Sequence, residues 1–296
     1  MEKIAKNNDV ELWTESFGAP SDPACLLIAG AGAHARFWSD FFCDALVQKR
    51  YFVIRFDLRD TGLSSAVQFS THPYTIADLA EDALKILDEY NIKKAHLIGH
   101  SMGGYIGQYV ASHHPERVLS LTSISAGPLG ATPIAVEEWT KEEQELLSKT
   151  WSIMVQNKPT KKFDESIEGY LAVWKYLNGD FGLDDESARS YTRDGYERSN
   201  HKPGVAMSHL SVMRGVATKL EERSGDMKKI QAPTLVIHGE KDYLVPVRRG
   251  GEATAEGIVR SKMEIVPGMG HMIFNRELEE KLVTLIADHL SSVSTT

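Results

Sequence analysis

The stretch LIGHSMGG, Leu97 to Gly104, settles the architecture. Ala95 to Ile98 is an apolar run of the kind that forms a buried strand, Gly99-His100-Ser101-Met102-Gly103 fits the pattern G-x-S-x-G, and a helical segment follows. A serine between strand and helix in that pattern sits on a turn tight enough to strain its backbone. The flanking Gly99 and Gly103 must lack bulk for the turn to close. Such a turn exposes the hydroxyl, which makes Ser101 a candidate nucleophile.

A serine hydroxyl is a poor nucleophile near neutrality; it needs a base, and the base needs an orienting acid. Both come later in the chain. APTLVIHGEKDYLVP (residues 232–246) reads as a strand and a turn carrying Asp242, and MEIVPGMGH (residues 263–271) as a strand and a glycine-rich turn carrying His271. Of eleven histidines, His96, His100 and His238 lie within or beside strands, where satisfied core histidines are expected. His113 and His114 follow a helix, and His201 and His209 fall in a strand-free region. His271 alone sits on a loop after a late strand. Glu240, at a strand end, competes with Asp242 for the acid; the loop reach of Asp242 suits an aspartate facing a histidine ring.

Working outward, apolar β-branched runs bounded by turn residues recur at Ala24 to Ala29, Tyr51 to Phe56, Ala95 to Ile98, Val118 to Ile124, Thr234 to Ile237 and Met263 to Val266. Helical patterns alternate with them, clearest in TIADLAEDALKILDEYN, where Thr75 and Asp78 suit a first turn. Alternation of this kind predicts an α/β fold with a mostly parallel, doubly wound sheet. Val10 to Phe17 alternates weakly and reads as an antiparallel edge strand. Between Gly127-Pro128 and Ala232-Pro233 the strands stop and helical signals take over. Thr140 and Glu143 have capping-box spacing, while Asp164 and Asp184 are placed to cap two further helices. The organisation expected is a core of residues 1–128 and 231–296 with an inserted helical cap of residues 129–230 and a frayed tail, SSVSTT.

Composition excludes several classes. At 296 residues, 42% hydrophobic and 25% charged, the chain can bury a large core and lacks the bias of disorder. A net charge of −8, with only pairs such as Lys161-Lys162 and Lys228-Lys229 on the basic side, disfavours nucleic acid. The longest uncharged run, Leu119 to Val136, is broken by glycines and prolines, and MEKIAKNNDVELW lacks the apolar segment of a signal peptide, so no membrane partner and a cytoplasmic location are expected. Two cysteines, Cys25 and Cys43, match no metal-ligand or disulfide framework and are expected as buried thiols, with no metal.

One stretch invites a rival reading. In LLIAGAGAHARFW (residues 26–38), Gly30-Ala31-Gly32-Ala33-His34-Ala35 fits the G-x-G-x-x-G/A fingerprint of dinucleotide-binding loops, with Asp57 downstream as a ribose partner. That reading explains neither the serine turn nor the late Asp and His loops.

The motifs HSMGG, HGEKDYLVP and PGMGH, with FDLRDTGLSS, resemble the α/β-hydrolase superfamily across nearly the whole chain. FDLRDTGLSS, HPYTIADLAEDALKILD and the ELW start further resemble the aclacinomycin methylesterase-like esterases, which remove a methyl ester from a polyketide antibiotic. The resemblance implies the order Ser101, Asp242, His271 as a triad, no cofactor, and an oxyanion hole from the backbone N–H of Met102 and of Ala31, with Gly32 as fallback. Gly30 and Gly32 then serve close approach to the substrate. The family more often has His-Gly where this chain has Ala29-Gly30, and Asp60 stands where many relatives have glycine.

A substrate contact is weighed for His34 and Arg36 against a solvated helix start, and Asp57 and Arg59 are expected as structural turn partners. Of the insertion's aromatics (Trp139, Trp151, Trp174, Tyr170, Tyr176, Phe181, Tyr191 and Tyr196) some, Trp174 among them, are expected to face the nucleophile. The function expected is ester hydrolysis through an acyl-enzyme on a bulky apolar small-molecule ester, with monomer and homodimer both left open. A serine elbow disfavours the carboxylate displacement of haloalkane dehalogenases. Lactonase, amidase, cofactor-free haloperoxidase and carbon–carbon hydrolase activities share the constellation. A non-catalytic small-ligand-binding protein on the same scaffold is the alternative from another class.

Overall fold

The computed structural model describes residues 1–157, 163–199, 207–223 and 225–293; Lys161-Lys162, His201 and the end of the SSVSTT tail lie outside the described residues. The chain begins with a hairpin of β1 (Glu2–Asn7) and β2 (Val10–Phe17), then runs β3 (Ala24–Ile28), α1 (Asp40–Gln48), β4 (Phe52–Phe56), α2 (Ile76–Glu89), β5 (Ala95–His100), α3 (Met102–His113) and β6 (Val118–Ile124). Helices α4 (Lys141–Gln156), α5 (Phe163–Leu177), α6 (Asp185–Arg198), α7 (Met207–Thr218) and α8 (Asp226–Lys229) follow. The chain returns to the sheet with β7 (Thr234–Gly239), α9 (Ala253–Gly257), β8 (Ser261–Val266) and α10 (Arg276–Ser291).

The eight strands form one sheet in the order β1-β2-β4-β3-β5-β6-β7-β8, parallel from β4 to β8 and antiparallel at β1 and β2. Helices cover both faces. Leu26, Ile28 and Leu97 pack with α2 and α3, while Cys25, Leu27 and Ile98 pack with α1 and α10. Burial on both sides makes β3 a continuous apolar run and leaves β4 and β5 mostly apolar, interrupted by Arg55 in β4 and by His96 and His100 in β5. Cys25 and Cys43 are buried free thiols, and burial pushes both thiols up.

Two expectations need correcting. Val10–Phe17 is antiparallel but not the edge, because β1 pairs outside it, Glu2 facing Glu15 and Asn7 facing Val10. The polar exposed face of β1 hid it, although Asn8 at φ 53° marks the turn. Asp164 lies inside α5, which begins at Phe163, so it is not the cap. Thr75 and Thr140 do form capping boxes with Asp78 and Glu143, and Asp184 accepts from Ser187 N–H at the start of α6. Strands β5, β7 and β8 extend beyond their apolar runs, since His100, Gly239 and Lys262 carry no hydrophobic signal.

Between β6 and β7 the described residues form helices and turns but no strand. The end of α5 is tied to the core: Gly179 bridges to Met269, and Met272 N–H donates to Leu177 O at 3.0 Å. Among the described residues no helix is long and apolar enough to cross a membrane.

Candidate active site

In the sheet, β3 lies between β4 and β5, so successive connections leave to opposite sides at the carboxyl ends of β3 and β5. A crevice forms at such a switch point, and it is bordered here by the loop after β3 and the turn after β5. Ser101 occupies that turn at φ 52°, ψ −120°, a conformation strained for a side-chain-bearing residue. Its N–H donates to Ile124 O at 2.8 Å, and its carbonyl accepts from Gly104 N–H at 2.8 Å. A Cβ at Gly99 would collide with the Gly103 carbonyl, and one at Gly103 with that of Ile28, so the turn requires both glycines.

The structure brings the three predicted side chains together. His271 Nε2 lies 3.1 Å from Ser101 Oγ, and Nδ1 lies 2.8 Å from Asp242 Oδ2. Because the carboxylate accepts from Nδ1–H, Nε2 is left with a lone pair facing the Ser101 hydroxyl. Asp242 Oδ1 accepts from the N–H groups of Leu244 (3.0 Å) and Val245 (2.8 Å), which fixes the carboxylate. Burial pushes the Asp242 carboxyl up, but His271, His238 and the loop N–H groups outweigh it and the net shift is downward. The other carboxylate, Glu240, is exposed and braces the histidine loop through Gly268 N–H.

His100 donates Nε2–H to the His271 carbonyl at 2.7 Å, and His238 donates Nε2–H to Val245 O at 2.8 Å. His96 bonds Ser120 Oγ at 2.8 Å. All three are core histidines, yet each is only half satisfied, with one buried ring nitrogen lacking a partner among the described residues. Burial pulls His100 down to about 3, which keeps it neutral beside the site, and burial also lowers His238.

The N–H of Ala31 and of Met102 have no hydrogen-bond acceptor among the described residues. Gly32 N–H is already committed, donating at 2.9 Å to His209 Nδ1. Asp57 is not a ribose partner: its carboxylate accepts from Ala35 N–H (2.7 Å), Leu63 N–H (2.8 Å) and Arg198 Nη2 (2.6 Å). Arg59 grips Asp82 with two bonds of 2.6 Å. Asp60 sits at φ 68°, in the left-handed region that favours glycine. Its carboxylate accepts from Val67 N–H, Tyr74 Oη and Ser208 Oγ, tying the loop to α7 as no glycine could.

A cavity of about 1120 Å³ opens over Ser101 and His271, lined by Gly30, Ala31, Gly32 and His34 from the core and by Trp151, Phe163, Tyr170, Trp174, Tyr191 and Arg198 from the insertion. Trp174 packs on Tyr170 and Phe274 at centroid distances of 5.4 and 4.9 Å. His34 is no solvated helix start. It is buried, stacks on Tyr191 at 4.1 Å, and donates Nε2–H to Tyr191 O at 3.0 Å; burial pulls it to about 4. Arg36 instead reaches Asp194 on α6 at 2.7 Å, outside the cavity. Trp139, Tyr176 and Phe181 do not line it. The sequence reading missed Arg198 and His209, for nothing near either residue marks a site. Among the described residues no group of three or more His, Cys, Asp or Glu is placed to hold a metal.

A strained serine at a strand-to-helix turn, in reach of an acid-oriented imidazole on a doubly wound sheet, defines a serine hydrolase scaffold. The chain belongs to the α/β hydrolase fold family, whose sequence profile matches residues 23–277. It is similar to rhodomycin D methylesterase DnrP of Streptomyces peucetius, 31% identical over 298 residues and 97% of both chains. Rhodomycin D methylesterase DauP of Streptomyces sp. (strain C5) is 32% identical over the same share of each chain. Among solved structures, the 2-hydroxy-6-oxo-6-phenylhexa-2,4-dienoate hydrolase of a Rhodococcus species shares the fold with a TM-score of 0.75 at 18% identity, covering 99% of each chain.

Proposed function

We propose that the protein is a serine esterase that cleaves the methyl ester of a bulky apolar compound through an acyl-enzyme. One observation carries the reading: the unbroken hydrogen-bonded run from Ser101 through His271 to Asp242. Ser101 Oγ attacks the ester carbonyl as His271 Nε2 takes its proton. Asp242 holds the ring in the required tautomer and stabilises the imidazolium. The carbonyl oxygen, now negative, accepts from the N–H groups of Ala31 and Met102. Collapse of this intermediate expels methanol, protonated by His271, and water then repeats the cycle on the acyl-enzyme.

Residues 129–230 serve as the cap. Its aromatic side chains roof a cavity of about 1120 Å³, large enough for a polycyclic acyl group and mostly apolar in its walls. The methylesterase relatives support a small leaving group and a large retained one. The expected outcome for Ser101→Ala is a loss of turnover on p-nitrophenyl butyrate and on bulky aromatic methyl esters on the order of a thousandfold or more, with fluorophosphonate labelling abolished. Near-normal turnover in that variant would overturn the assignment, and failure of the intact protein to take the label would favour a ligand-binding role.

A further inference from the structure

We propose that His209 is a positioning residue for the oxyanion donor, acting through Gly32, so that α7 of the insertion sets the aim of the Ala31 N–H. The inference rests on Ala31 being that donor. His209 is fully buried and spans two loops of the sheet's rim: Nδ1 accepts from Gly32 N–H at 2.9 Å, and Nε2–H donates to Arg59 O at 2.9 Å. Both ring nitrogens are therefore used by a neutral imidazole of one fixed tautomer. Burial, which pulls its pKa to about 4, keeps it neutral. Arg59 is itself clamped by Asp82 of α2. A rigid series thus runs from α2 through Arg59 and His209 to the middle of the loop after β3.

That loop needs such an anchor. Ala33 N–H closes back on Gly30 O at 3.2 Å, and Ala35 N–H is held by Asp57, but inside the turn from Gly30 to Ala33 stands Gly32 at φ 73°. Glycine has many alternatives to that conformation. The Ala31 N–H lies in the peptide unit joining Gly30 to Ala31, whose carbonyl closes the turn with Ala33. The adjoining Ala31–Gly32 unit is planar, so fixing its Gly32 N–H holds the other half of the turn and with it the backbone angles at Ala31. Without the imidazole acceptor the Gly32 N–H, in an exposed residue of the cavity wall, loses its partner on α7 and the peptide unit is free to turn.

The test compares His209→Ala, His209→Leu and His209→Asn with the intact protein on p-nitrophenyl butyrate, and titrates each with phenylboronic acid, whose tetrahedral adduct at Ser101 places an oxygen in the oxyanion hole. The alanine and leucine variants are expected to lose about 10- to 100-fold in kcat, less than outright removal of an oxyanion donor, and a similar factor in boronate affinity. KM should stay within about threefold. The apparent pKa of kcat/KM is expected to stay unchanged, because the Ser101–His271–Asp242 relay is untouched. His209→Asn, whose amide oxygen stands in for Nδ1, should recover most of both losses. Should the alanine variant fail to fold, the leucine and asparagine variants, matched in bulk, carry the comparison. Wild-type kcat in the leucine variant, a fall in kcat with boronate affinity intact, or an asparagine variant as impaired as the leucine one would each overturn the proposal. Failure of the esterase reading itself appears separately, as activity retained by Ser101→Ala.

Discussion

Gly30 lies so close to Ser101, the proposed nucleophile, that a Cβ there would stand 3.1 Å from Ser101 Cβ and 3.2 Å from His100 Nδ1. Contacts that tight oblige the neighbours to move by a few tenths of an ångström, and the serine hydroxyl moves with them. Gly30→Ala is therefore expected to fold and to lose about tenfold in kcat, since small misplacements at a reacting atom are costly. Steady-state kinetics normalised by active-site titration checks this; an unchanged kcat would mean the neighbours yield without disturbing Ser101. Ser101, Asp242 and His271 were legible in the sequence because each needs a particular residue type on a turn directly after a strand, a local pattern. His209 and Arg198 were not, because what makes them matter is the partner, 177 residues away for His209 and 141 for Arg198. Asp60 is intermediate: the departure from glycine was visible, but its meaning needed the three groups its carboxylate binds.

The segment joining α5 to α6 acts as a strap on the histidine loop. Buried Asn178 accepts from Phe274 N–H at 3.0 Å and donates to the Gly182 and Phe274 carbonyls. Asn178→Ala leaves the Phe274 N–H buried without an acceptor, so we expect a loss of about 1–3 kcal/mol, read as a lower urea midpoint, together with reduced kcat as the loop carrying His271 loosens. A variant equal to wild type in both would show that the strap bears no strain from the loop. Elements with a strong apolar run or period were legible: six strands by their bounded apolar runs, the helix after Thr75 and the helical character of the insertion by their period. Strand β1 was not, because a polar edge strand with few apolar residues has no periodic signal to detect. The start of α5 was misjudged for a related reason, as an aspartate reads the same at a cap and one residue inside a helix.

Over the whole molecule the notable electrostatic feature is a set of buried neutral histidines. Burial pulls His34, His96 and His209 to about 4 and His100 to about 3, whereas an unfolded chain titrates histidine near 6.5. Between these values the unfolded chain binds protons that the folded one refuses. Stability is then complete above about 6.5 and declines as pH falls toward about 4, by up to about 1.4 kcal/mol per pH unit for each histidine. Glu279, raised to about 6 by burial, opposes this with a single proton between 4.5 and about 6. Urea unfolding at pH 7, 6 and 5 should show the decline, and His96→Phe, remote from Ser101, should flatten it by about one proton; a free energy level across that range would refute the account. The chain's path through the sheet has one more consequence, for synthesis. Ser101 and His271 are separated by 170 residues, so at ordinary ribosomal speed the proposed nucleophile emerges roughly 10–30 s before its proposed base. On the proposed mechanism the nascent chain is thus chemically silent until its last strand docks, and a truncated translation product carries Ser101 without the imidazole that would activate it.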